Sequence, residues 1–189
     1  MRHGARTLRV KAVLVLVAAS LTMACEDQAV LQPGAEPAFA VNPAAGQSPL
    51  MKQVRQATAR FNSIEQARQA GYAPASPCIE VPGVGGMGVH YVNQGLVDPV
   101  FDPLAPEALV YFPEDYGFRL VAVEYIVINA GQPAPTFESQ AFDVGGTPVP
   151  VSHWSLHLWL YENNPAGEFA PFNPDVVCPA GAPGGAAAH

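Results

Sequence analysis

Cationic side chains are scarce in this 189-residue chain, which sets nine Lys and Arg against 16 Asp and Glu. Four of the nine, Arg2, Arg6, Arg9 and Lys11, stand at the very start, so the rest of the chain has only Lys52, Arg55, Arg60, Arg68 and Arg119 to balance every acidic residue. Nucleic acid is excluded as a partner, because phosphate neutralisation requires clustered Lys and Arg. Electrostatic adhesion to an anionic bilayer fails on the same ground. A long apolar run is also missing: Ala12 to Cys25 is uncharged for 14 residues, short of the roughly 20 that a membrane span needs. Charged residues amount to 13% against 49% hydrophobic, a balance that folds and does not stay disordered throughout. The length excludes two large domains.

What is there begins with a basic head, a short apolar segment and small residues, the pattern of an export signal over residues 1–24. Leu21-Thr22-Met23-Ala24 before Cys25 is similar to the lipobox of bacterial lipoproteins, departing from it in placing Thr22 where leucine is usual. Cys25 is either lipidated, the one route to membrane attachment, or left near the terminus of a soluble secreted chain. Only Cys78 and Cys178 remain for a domain bound for an oxidising space, and a disulfide between them is expected. Residues 25–47 are rich in Pro, Ala and Gly and read as a flexible tether, residues 48–178 as a single β-rich domain, and residues 179–189 as a disordered tail that includes His189.

Ser48-Pro49 predicts a helix start, with the cap residue followed by proline at the first helical position. Leu50, Val54, Ala57 and Phe61 continue at helical spacing. Asn62-Ser63-Ile64-Glu65 predicts a second short helix capped by Asn62, closed by Gly71 in the left-handed region. After Cys78 the pattern changes to strands over Val89–Val92, Ala108–Phe112, Phe118–Asn129, Thr136–Phe142 and Val151–Tyr161. Glu114-Asp115-Tyr116-Gly117 makes the second and third of these a hairpin. With no crossover helix, a doubly wound nucleotide fold is excluded. The expectation is a mainly β domain with two short N-terminal helices, built as a small antiparallel barrel or sandwich.

Glu124 is the informative carboxylate. The period of two gives its strand face Leu120, Ala122, Ile126 and Ile128, with Val121, Val123, Tyr125 and Val127 opposite. A carboxylate aimed at an apolar surface must find hydrogen bonds, a cation, a metal or a proton; Arg119 is the available structural partner. His90 follows a glycine-rich bend. His157 shares a strand face with His153, Ser155 and Trp159, while Trp154, Leu156, Leu158 and Leu160 fill the other. On a strand, His153 and His157 lie roughly 13 Å apart, too far for both to reach one ion, so His157 is preferred and His153 is the weaker candidate. His90, Glu124 and His157 on three strands supply the donor set of a catalytic metal centre, zinc with two His and one Glu or non-haem iron, with manganese and copper as further divalent choices. Tyr91 and Tyr125 are candidate supporting or proton-transfer groups. Gly83, Gly85, Gly86 and Gly88 lack the following Lys-Ser or Lys-Thr of a phosphate loop, and Ser155 is badly spaced from its neighbouring histidines for nucleophilic catalysis. Phe169 and Phe172 suit a loop packed over a barrel mouth.

The runs GYAPASPC, GGMGVHYVN, LVDP, LVAVEYIV and LHLWLYENNPAGEFAPFNPDVVC resemble a family of uncharacterised bacterial exported proteins or lipoproteins over about Ser48 to Cys178. The resemblance implies a common site at His90, Glu124 and His157 together with Cys178, and leaves its chemistry unnamed. Three functions stay open. One is an exported small-molecule binder or metal-dependent enzyme. Another is a metal-free envelope domain that holds a hydrophobic ligand or an envelope-protein partner through Trp154, Trp159 and the terminal loop. The third is a purely structural domain.

Overall fold

The computed structural model describes residues 46–146 and 148–180; the signal segment, Cys25, almost all of the tether and the carboxyl tail with His189 lie outside the described residues. The chain there begins with α1 (Pro49–Thr58), whose cap Ser48 accepts the Met51 N–H at 3.1 Å. Met51, Val54, Thr58 and Phe61 form the buried stripe, and a 3₁₀ turn over Ala59–Asn62 tightens the helix end. The second helix, α2 (Ile64–Gln69), is capped by Ser63 and not by Asn62. Asn62 instead turns its side-chain amide back to the Ala59 carbonyl, which leaves the next hydroxyl to receive the Gln66 N–H. Gly71 adopts φ +97° just past the helix, as expected of its place.

Eight strands follow: β1 (Ala73–Val81), β2 (Gly85–Val92), β3 (Ala108–Glu114), β4 (Gly117–Ile128), β5 (Thr136–Phe137), β6 (Gln140–Ala141), β7 (Asp143–Val144) and β8 (His153–Leu158). Six of them make one antiparallel sheet in the order β1-β2-β3-β4-β8-β7, while β5 and β6 form a small separate hairpin. The strand expected over Thr136–Phe142 is therefore broken into two-residue arms around Glu138, which holds φ +54°. The sheet is a curled, open half-barrel and not a closed barrel. Both edges explain why. β1 carries Pro74 and Pro77, which cannot donate to a further ladder and are tolerated at an edge; β7 ends after two residues in Gly145-Gly146. Among the described residues no helix is long and apolar enough to cross a membrane.

The hairpin of β3 and β4 forms at the expected turn, with Glu114 paired to Gly117. Its register shifts once: Val110 pairs with Ala122 but Tyr111 pairs with Leu120, so Val121 is an extra residue. This bulge exchanges the faces of two side chains relative to strict alternation. Leu120 joins Val123, Tyr125 and Val127 in the core packed against the helices, whereas Val121 and Ala122 lie with Val110, Trp159 and Val176 on the other side. That second side carries the polar residues of interest.

After β8 the chain returns across the sheet to β2. Gly86 exchanges two backbone hydrogen bonds with Asn173, at 3.1 and 2.9 Å. A β-carbon on Gly85 would stand 2.2 Å from the Asn173 carbonyl oxygen and one on Gly86 2.6 Å from that of Val176. The glycine run thus exists for close backbone approach. The Cys78–Cys178 disulfide, joining residues 100 apart, fixes the returning segment to β1.

Candidate metal centre

Register places the three residues. Glu124 on β4 is paired directly with His157 on β8 and, on its other side, with Ala108 on β3. Ala108 is paired in turn with Val92, two residues beyond His90 on the same face of β2. Across this row of small and apolar side chains the His90 ring leans over to Glu124, its Nε2 3.4 Å from Oε2. The same Nε2 lies 3.3 Å from Nε2 of His157. One ligand atom from each of His90, Glu124 and His157 falls within 4.8 Å of the others, and all three residues are buried.

The hydrogen bonds around the cluster orient it. Ser76 Oγ donates to the Pro77 carbonyl at 2.8 Å and so has no proton left for His90. His90 Nδ1, 2.9 Å from that oxygen, must then be the donor, as is the His90 backbone N–H at 3.0 Å. This tautomer leaves the Nε2 lone pair aimed into the cluster, which is how a neighbouring acceptor prepares a metal-binding imidazole. Ser155 Oγ donates to Glu124 Oε1 at 2.8 Å, while Glu124 Oε2 is buried with no hydrogen-bond partner.

Burial governs the charges. It pushes the Glu124 carboxyl up to about 8, with the Ser155 hydroxyl opposing and the Glu107 charge adding to the rise. Burial lowers His90 to about 4, and burial with the adjacent His90 lowers His157 to about 3. At neutral pH the cluster alone is thus an uncharged acid beside two uncharged imidazoles. A divalent cation inverts that preference, since it favours the carboxylate and takes lone pairs from neutral imidazoles. Two nitrogens and one oxygen fit zinc or non-haem iron, and equally the other divalent ions considered above.

Glu124, Ser155 and His157 form one wall of a cleft of about 230 Å³, faced by Met87, the β7 segment Asp143–Gly146, Phe169 and Pro171. An ion held by the three residues therefore has neighbouring space for water or a small ligand. The expected role of Phe169 is met in part: it lines this cleft and packs on Phe137 with ring centres 5.8 Å apart.

Other residues fall elsewhere. His153 is buried but separate, its Nδ1 2.6 Å from the Val151 carbonyl and its ring covered by Gly145, where a β-carbon would stand 2.1 Å from Nε2. Tyr91 and Tyr125 point to the opposite face, as neighbours of His90 and Glu124 in extended strands must. Tyr91 packs edge-on against Tyr111 and Phe118, and Tyr125 donates to the Pro103 carbonyl at 2.8 Å. Arg119 pairs with Glu114 and Glu162 at the surface and leaves Glu124 alone. Sequence reasoning missed Ser76, hidden in a proline-flanked segment that carries no strand signal. It also missed Glu107, a buried carboxylate that accepts the Ile126 N–H at 2.9 Å where the β3 ladder ends.

Comparison with protein-family models, with curated proteins and with solved structures finds no match to this chain.

Proposed function

We propose that this protein binds one divalent metal ion through His90, Glu124 and His157 and uses the adjacent cleft to bind or transform a small molecule outside the cytoplasm. One observation carries the reading: the orphan Oε2 of Glu124 and the two imidazole Nε2 atoms are separated by 3.4 and 3.3 Å around His90. Ligands about 2.0–2.1 Å from a tetrahedral ion stand about 3.3 Å from each other. A bound ion would supply Lewis acidity, polarising an oxygen ligand or lowering the pKa of water. Ser76 holds the His90 tautomer and Ser155 holds the carboxylate, while the cleft leaves one side of the ion open.

Export is supported by the signal-like residues 1–24 and by a disulfide of the sort that persists in oxidising compartments. A lipid anchor at Cys25 and membership of the exported family named above belong to the same reading. The metal-free alternative has less to stand on, because Trp159 is buried and donates its indole N–H to the Ala170 carbonyl at 2.7 Å. It is not a free docking surface.

Metal analysis of protein purified without a polyhistidine tag, then offered zinc, iron, manganese or copper, tests the proposal. The expected result is one ion per chain, with affinity at least tenfold weaker in each of His90→Ala, Glu124→Gln and His157→Ala while the circular dichroism of the sheet is kept. Failure of the wild-type chain to retain any of the four ions at one equivalent rejects it.

A further inference from the structure

The cleft has a second polar end. Asp143 on the edge strand β7 is paired with Ser155 on β8, which places both side chains on the face that carries Glu124 and His157. His157 is two residues farther along β8, a diagonal neighbour at about 7–8 Å or somewhat less between β-carbons. Asp143 lines the cleft, and among the described residues the only other ionisable groups that do so are Glu124 and His157, with no Lys or Arg. Asp143 is exposed and has no cationic partner among the described residues. A divalent ion on two neutral imidazoles and one carboxylate retains a positive charge, so the occupied cleft would be positive at its buried end and negative at its rim. Its remaining walls, Met87, Leu156, Phe169 and Pro171, are mostly apolar. About 230 Å³ is below the usual range of drug-sized pockets.

Resting on the metal reading above, we propose that the ligand of this cleft is a small molecule with a cationic nitrogen a few bonds from an oxygen donor. The oxygen faces the metal and the ammonium pairs with Asp143. Amino acids and their simple derivatives have this form, whereas dicarboxylates and phosphate esters place a second negative group against Asp143 and are disfavoured. Asp143 is on this account a specificity residue and not a metal ligand.

The test uses the purified chain loaded with cobalt(II), whose visible bands report ligand entry, and three probes of similar size. These are acetohydroxamate, the ammonium-bearing glycine hydroxamate and the carboxylate-bearing succinic monohydroxamate. Glycine hydroxamate is expected to bind about fivefold more tightly than acetohydroxamate, the size of one partly exposed ion pair, and the succinic probe more weakly than either. Asp143→Asn should remove the difference between glycine hydroxamate and acetohydroxamate without altering cobalt affinity. Normal cobalt bands with no preference for the ammonium probe, or with a preference that survives Asp143→Asn, overturn the proposal alone. Absence of cobalt uptake by the wild-type chain overturns the metal centre and this proposal together.

Discussion

Replacing Cys78 and Cys178 together by serine is expected to destabilise the protein by about 5 kcal/mol, the value that loop-closure entropy gives for a crosslink of about 100 residues. The bond joins residues 100 apart, and the closed loop includes every strand of the main sheet apart from the first half of β1, in which Cys78 itself lies. Other contacts hold the returning segment as well. Near Cys178 they include the Gly86–Asn173 backbone pair, the packing of Val176 against Val110 and Val121, and the Cys178 N–H on Glu80 at 2.7 Å. Such a loss is comparable with the whole stability of a typical domain. Urea unfolding of the double variant should show a large fall in midpoint with a steeper slope, because the unfolded chain without the crosslink is more expanded and exposes more surface. The cleft should loosen as well, since Phe169 and Pro171 belong to the segment that the bond restrains. A loss below about 1 kcal/mol would mean that the unfolded chain gains little freedom when the crosslink is removed.

The second large effect concerns protein stripped of metal. Glu124 in the fold is raised from 4.5 to about 8 and Glu107 from 4.5 to about 7, both chiefly by burial. Each therefore binds its proton more tightly when folded, and the stability it contributes is lost as pH rises from 4.5 toward those values. His90 and His157 have the opposite sign. Their folded values of about 4 and about 3 lie below 6.5, so their contribution is lost as pH falls below 6.5. The two histidines and two carboxylates nearly cancel between 4.5 and 6.5, and above that only the carboxylates act. Ser155, which donates to Glu124, does not titrate here, and the exposed Asp143 at the rim is the remaining charge facing the cleft. Chelator-treated protein should then lose stability from pH 7 to 8 at up to about 1.4 kcal/mol per unit, the slope of one proton. Glu124→Gln should decline only about a quarter as much over that interval, because Glu107, half ionised near pH 7, completes its titration there. Thermal unfolding of both proteins at closely spaced pH decides the matter. An equal decline in the variant would assign the effect to another group.

Much of this arrangement was legible in the residues themselves. The β3–β4 hairpin could be read because apolar alternation ran into a two-residue turn with glycine at its end, and Ser48-Pro49 marked α1 correctly. β1 could not, since Pro74 and Pro77 argue against a strand until one knows that it lies at an edge. Alternation misplaced Leu120 and Val121, because a bulge adds a residue without any mark in the sequence. The site divides in the same way. Glu124 stood out as one carboxylate in an apolar strand, and strand spacing correctly separated His153 from His157. That same alternation argued against Tyr91 and Tyr125, which stand next to site residues and so face away. The approach of His90 depends on sheet curl and on a two-residue offset across Ala108, which only the three-dimensional register provides. Ser76 and Asp143 are ordinary polar residues in sequence, and acquire their roles from what pairs opposite them.

The central claim is that His90, Glu124 and His157 share one ion, and anomalous diffraction from crystals grown with saturating zinc tests it most directly. One strong peak is expected at the zinc absorption edge, about 2.0–2.2 Å from Glu124 Oε2, from Nε2 of His90 and from a ring nitrogen of His157, with an open side toward the cleft. Well-ordered crystals with no peak among these three residues, or with zinc only at surface carboxylates, would contradict the account.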